Sequence, residues 1–202
     1  MVKKEGMFLA VFIVILVFSI IMIFNQASRL TGFATTSGTT MSNVTISSYF
    51  SITLSDNLTN GIYFATIYNL PAANVNASGN NNSETNLPAG NTSFFINVSS
   101  DSNTAVDFCL RSTADLKTSG GDVIAIGNET YSNSTIKNAT SPLLAKEVAF
   151  SKTAGVKAGQ NVPAGNESYY RFYLDVPVAT PSGSYNNTIS FEAVKTTNAC
   201  TL

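Results

Sequence analysis

Met7 to Phe24 reads MFLAVFIVILVFSIIMIF, eighteen consecutive residues without a charge. As a helix rising about 1.5 Å per residue it spans roughly 27 Å, close to the ~30 Å hydrocarbon core of a bilayer. Fourteen of the eighteen are Leu, Ile, Val or Phe, and Ser19 is the only polar one. Their summed insertion free energy is roughly −4 to −8 kcal/mol. A helix on the surface of a globular domain carries a polar stripe toward water, and this run has none. It is expected to be a single transmembrane helix in contact with membrane lipid. Lys3, Lys4 and the amino terminus precede it, while Arg29 alone follows closely. That imbalance places the N-terminus in the cytoplasm and everything after Asn25 outside.

Three fates remain open for this segment. It can be an uncleaved signal anchor that tethers the chain. It can be a cleaved signal peptide, cut after Gly32-Phe33-Ala34, although its apolar run exceeds the usual 7–15 residues and ends well short of that site. The third comes from Lys3-Lys4-Glu5-Gly6, immediately before the apolar run. This motif resembles the leader of type IV pilins and archaellins, in which a short basic leader ends in Gly. The resemblance implies cleavage between Gly6 and Met7, a helix that packs into a filament core, and a β-rich head facing outward. It covers about the first thirty residues. Bacterial pilins carry a Glu early in the helix, whereas here Val11 and its neighbours are apolar.

The 202 residues therefore divide into a leader (1–6), an anchor helix (7–24), a Ser/Thr/Gly linker (25–42) and one domain (43–202) large enough to bury a core. Charged residues make up only 11% of the chain, against ~25% in typical soluble domains. The polar surface must come from Ser, Thr, Asn and Gly instead. Beyond Ala34 there are eight Lys/Arg and eleven Asp/Glu, so 8 − 11 = −3 with no basic run. Nucleic acid is accordingly not an expected partner.

Within the domain the apolar residues alternate. Val44, Ile46, Phe50, Ile52 and Leu54 share one parity over Asn43–Leu54, which predicts a strand with one buried face. Further strands are expected around Gly61–Ile67, Phe94–Val98, Val106–Leu110, Asp122–Ile126, Tyr170–Val176 and Tyr185–Ala193. Asp56 to Gly61 reads as a turn, Ser100 to Asn103 as a hairpin connection, and Asn69 to Thr92 as a long loop without regular structure. No amphipathic helix interrupts the series. The expected fold class is all-β, an immunoglobulin-like antiparallel β-sandwich behind a single N-terminal transmembrane helix. Tyr169–Val194, with its Pro-rich turn and Gly183-Ser184-Tyr185, resembles the closing hairpin of extracellular bacterial and archaeal sandwich domains. That likeness implies a fold and no activity.

Asn-x-Ser/Thr occurs at Asn43, Asn57, Asn76, Asn81, Asn91, Asn97, Asn128, Asn133, Asn138, Asn166 and Asn186. With 47 Ser/Thr and 22 Asn in 202 residues, chance gives about five such sequons. The doubling points to an N-glycosylated outer face, and Asn97 and Asn186 fall on the outward parity of their expected strands. Two cysteines are present, Cys109 and Cys200. Cys109 has opposite parity to Phe108 and Leu110, so it points away from the core. The C-terminal tail from Lys195 to Leu202 is expected to fold across that face and bridge to it in an oxidising exterior.

Catalysis is poorly supplied. The chain contains no histidine, which removes His-based acid–base chemistry and nucleophile activation. Asp56 to Gly61 lacks the acidic series of a calcium loop, and no cofactor motif is present. Tyr49, Tyr63, Tyr169 and Tyr173 fall on expected outer faces, where tyrosines can stack on sugars or partners. The sequence thus predicts a glycosylated, membrane-anchored surface protein without an active site. A filament subunit and a glycan-binding adhesin stand as alternatives, and self-association or other envelope proteins as the expected partners.

Overall fold

The computed structural model describes residues 13–20, 41, 43–81, 91–138 and 141–202. The chain divides into two units, Met1–Thr45 and Ile46–Leu202. In the first, residues 13–20 (α1) are helical and exposed. The rest of the apolar run, the leader with Gly6 and Met7, and most of the linker lie outside the described residues. Among the described residues no helix is long and apolar enough to cross a membrane.

The second unit is built of antiparallel sheets. Its elements are β1 (Ile52–Leu54), α2 (Asp56–Asn60), β2 (Ala72–Asn76), β3 (Phe94–Val98), β4 (Val106–Ser112), β5 (Leu116–Lys117) and β6 (Val123–Ile124). They are followed by β7 (Glu129–Ser134), β8 (Val148–Ala149), β9 (Val156–Val162), β10 (Glu167–Val176) and β11 (Ile189–Lys195). The main sheet runs β1-β3-β10-β7-β8, with β2 lying beside β10 beyond the end of β3. A second sheet runs β11-β4-β9, and β5 pairs with β6.

Alternation fixes which face each strand buries. Phe94, Ile96 and Val98 of β3, Val106, Phe108 and Leu110 of β4, and Tyr170, Phe172, Leu174 and Val176 of β10 all enter one hydrophobic core. Phe172 sits at its centre, edge-on to Phe94 at 5.1 Å and stacked with Phe150 and Tyr170 at 6.2 Å each. At ~25 cal/mol per Å² such aromatic burial is the main stabilising term of a domain of this size.

Pairing departs from the expectation at several places. β3 and β4 do not form a hairpin across Ser100–Asn103: β3 belongs to the main sheet and β4 to the second. β10 and β11 likewise lie in different sheets, so Tyr169–Val194 is not a closing hairpin. The chain switches sheets at each of these connections because both strands must present their apolar parity to the same core from opposite sides.

Asn43–Leu54 is a strand only over Ile52–Leu54, and Val44 and Ile46 are 84% and 78% exposed. Over residues 47–51 the connection between β3 and β4 holds the chain by both backbone and side-chain bonds, the Ser99 and Asn103 N–H groups donating to the Ser51 and Tyr49 carbonyls at 2.9 and 3.0 Å. Ser51 N–H donates to Ser102 Oγ at 3.2 Å, and Tyr49 N–H to Asn103 Oδ1 at 2.7 Å. Asn103 Nδ2 donates to the Ser47 carbonyl at 2.9 Å. The expected turn at Asp56–Gly61 is the short helix α2 (Asp56–Asn60), capped by Ser55 Oγ accepting from Leu58 N–H and ended by Gly61 at φ 116°. Gly61–Ile67 contributes a single bridge, Phe64 to Ala77. The expected loop 69–92 contains β2 and a 3-10 turn, Ser78–Asn80, both docked on β10.

Candidate functional site

The features that bear on function are spread over both sheets and the loops between them. Eight of the eleven sequon asparagines are exposed: Asn43, Asn57, Asn81, Asn91, Asn133, Asn138, Asn166 and Asn186. Asn76, Asn97 and Asn128 are partly exposed, and none of the eleven is buried. By contrast Asn80, which lies in no sequon, is fully buried. Asn97 sits mid-strand on the face of β3 opposite Ile96 and Val98, with Glu167 and Thr53 as its cross-strand neighbours. Asn186 precedes β11 and bridges to Lys117, so it is a loop residue, not the strand residue the pattern predicted.

Cys109 and Cys200 form a disulfide, their Cα atoms 5.8 Å apart. Cys109 is buried, yet it stands outside the hydrophobic core because the C-terminal tail covers it from the other face of β4. Glu192 holds the same tail. Its Oε2 accepts from the Thr201 and Leu202 N–H groups at 2.8 and 3.2 Å, and the Thr201 hydroxyl donates to Oε1. Burial pushes the Glu192 carboxyl up, but these donors outweigh it and hold it below the ordinary value.

Beside the disulfide, Lys157 Nζ meets Asp107 Oδ2 at 2.6 Å. Burial raises the Asp107 carboxyl, and the bonds from Lys157, the Asn161 N–H and Thr196 more than reverse that shift. A carboxyl held below its ordinary value beside an ammonium suits a structural ion pair and not proton transfer.

Among the described residues Glu129 is the carboxyl driven the other way. It is 2% exposed, and Asn187 Nδ2 donates to its Oε2 at 2.6 Å while also reaching Ser112 Oγ at 3.2 Å. Desolvation outweighs that hydrogen bond and pushes its pKa up to about 7. Through Asn187 it is linked from β7 of the main sheet to Ser112 of β4 in the second. Among the described residues no group of three or more His, Cys, Asp or Glu could hold a metal ion.

No protein-family model, no curated protein and no solved structure matches the chain.

The aromatic positions divide. Tyr49 and Tyr63 are exposed and Tyr169 is partly exposed, whereas Tyr173 is buried and so cannot serve an outer binding face. Tyr173 and Arg171 have the outward parity of β10, but that side of the strand is covered. Arg171 donates to the carbonyls of Asn80, Pro142 and Asn138 at 3.3, 2.9 and 3.5 Å, pinning two loops over the sheet. Tyr169 pairs across the strands with Phe95, their ring centroids 6.2 Å apart, and Lys137 Nζ lies 5.3 and 5.4 Å from the two rings. Parity alone indicates these two side chains, but their convergence depends on the β3–β10 register.

Proposed function

We propose that this chain is a membrane-anchored, N-glycosylated cell-surface structural protein without catalytic activity. In this reading Met7–Phe24 is retained as the anchor, the N-terminus is cytoplasmic, and the β-domain, an immunoglobulin-like sandwich, stands outside. The observation that carries it is the placement of asparagines: every sequon Asn reaches solvent, while the fully buried Asn80 is in none. A sugar on any of the eleven sites can be accommodated without dismantling the core. The disulfide supports an oxidising compartment, and the lack of charge in Met7–Phe24 supports the tether.

A filament subunit processed between Gly6 and Met7 is the second reading. Lys3-Lys4-Glu5-Gly6 favours it, and so do Val44 and Ile46, apolar residues that one copy of the chain leaves open. Glycopeptide mapping of protein taken from native membranes, together with its N-terminal sequence, separates the two. The surface-protein reading requires sugar on several sequons and a chain that keeps its leader.

A further inference from the structure

Four residues of the main sheet form a two-by-two grid on its outer face. Phe95 and Asn97 alternate along β3, Tyr169 and Glu167 along β10, and the register sets Phe95 opposite Tyr169 and Asn97 opposite Glu167. Residues two apart on a strand lie ~7 Å apart on one face, and direct cross-strand neighbours have Cβ atoms ~5 Å apart. The Asn97 amide is thus about one sugar ring away from the Phe95 side chain. Both aromatic residues are partly exposed. Lys137 Nζ lies over the two rings at 5.3 and 5.4 Å, and Lys137 is an exposed side chain, so the group that now covers these faces is one a sugar can displace. On β10, opposite Asn97, Tyr169 Oη donates to Glu167 Oε2 at 2.6 Å, fixing the carboxylate where it can accept from a sugar hydroxyl.

We propose that Asn97 carries an N-linked glycan whose first pyranose packs its apolar C–H face on Phe95, with Tyr169 and Glu167 closing the site. The inference rests on the glycoprotein reading above and singles out one sequon and its sugar-binding side chains. Attachment requires a lipid-phosphate-linked sugar donor and a separate membrane transferase. The anomeric C–O bond to phosphate breaks with its electron pair left on the phosphate oxygen. The Asn97 Nδ2–C1 bond forms, and one amide proton passes to a base of the transferase. The stack then holds because the ring C–H groups are polarised toward the negative face of the aromatic ring. Lys137 is exposed and gives up only a surface contact in yielding to the sugar.

The test is site-resolved glycopeptide mass spectrometry on the full chain, followed by melting of wild type, Phe95→Leu, Asn97→Gln and the double variant made in a glycosylating host. Sugar at Asn97 is expected. Asn97→Gln should lower Tm by about 2–4 °C in wild type, and have little effect in the Phe95→Leu background. Upfield ring-current shifts of the sugar C–H protons in the wild-type chain provide a measurement that needs no variant. Sugar on other sequons with Asn97 bare overturns this inference alone. So does sugar at Asn97 with the same Tm loss in both backgrounds and no upfield shift. No sugar on any sequon overturns the glycoprotein reading, and this inference with it.

Discussion

The side-chain amide of Asn80 stands in for a strand beside Phe172. Its Oδ1 accepts from the Phe172 N–H at 2.8 Å, and its Nδ2 donates to the Phe172 carbonyl at 2.7 Å. The substitution falls where β10 changes partner on one edge, from β3 at residues 167–170 to β2 at residues 173–176. Thr92 Oγ1 fills the adjoining position, donating to the Tyr170 carbonyl at 2.6 Å. These two side chains, with the Ala77 N–H donating to the Phe172 carbonyl at 3.1 Å, satisfy the backbone of a buried strand across the gap between its neighbours.

Removing that amide leaves the Phe172 N–H buried without a partner. Asn80→Ala is expected to destabilise the domain by about 2–4 kcal/mol, read by urea unfolding. The exposed Asn198→Ala serves as the comparison and should stay within about 0.5 kcal/mol of wild type. Equal effects of the two substitutions would contradict the pairing.

Glu129 makes stability depend on pH with a definite sign. Its folded pKa of about 7 lies above the ordinary 4.5, so the folded chain holds this proton more tightly than the unfolded chain does. The resulting stability is fully present below about pH 4.5 and is lost as pH rises toward and through 7. A difference of about 2.5 pH units corresponds to about 3 kcal/mol. Asp107 and Glu192, whose pKa values are lowered, act oppositely and lose stability as pH falls. The useful quantity is therefore the difference between wild type and Glu129→Gln. Measured by denaturant unfolding from pH 4 to 8, the variant should gain on wild type by about 3 kcal/mol as pH rises. A constant difference would mean that the folded chain holds this proton no more tightly than the unfolded chain does.

The Cys109–Cys200 bond closes a loop with a sequence separation of 91. In the chain-entropy account that constraint is worth roughly 4–5 kcal/mol. Cys109→Ala with Cys200→Ala should lower Tm by on the order of 10 °C and free the tail from Glu192. Exchange protection of the Thr201 and Leu202 amides reports the second effect. Persistence of that protection would show that Glu192 alone holds the strap.

The buried faces were legible in the sequence, and the pairing was not. Phe94, Ile96, Val98, Phe108 and Leu110 alternate without interruption, and parity alone assigns them to the core. Nothing in that pattern distinguishes a hairpin from a connection that crosses to the opposite sheet, because both give the same parity. β9 carries no strand signal of its own, because Gly159 and Gln160 interrupt its alternation at a register shift opposite β4. β7 was missed because Glu129, Ser132 and Asn133 are polar. Ile46 shows the opposite case, sharing the alternation of β1 while remaining 78% exposed ahead of its first paired residue, Ile52. Asn80 and Arg171 carry no local signal, since their burial depends on chain segments that fold over β10 from far away in sequence.

The most direct test of the account is the intact mass and N-terminal sequence of the protein recovered from native membranes. A tethered surface protein retains Met1 or Val2 and carries excess mass resolved to several sequons. A chain beginning at Met7 would contradict retention of the anchor leader and establish prepilin-type processing. A start near Thr35 would contradict the tether and mean that the domain is secreted.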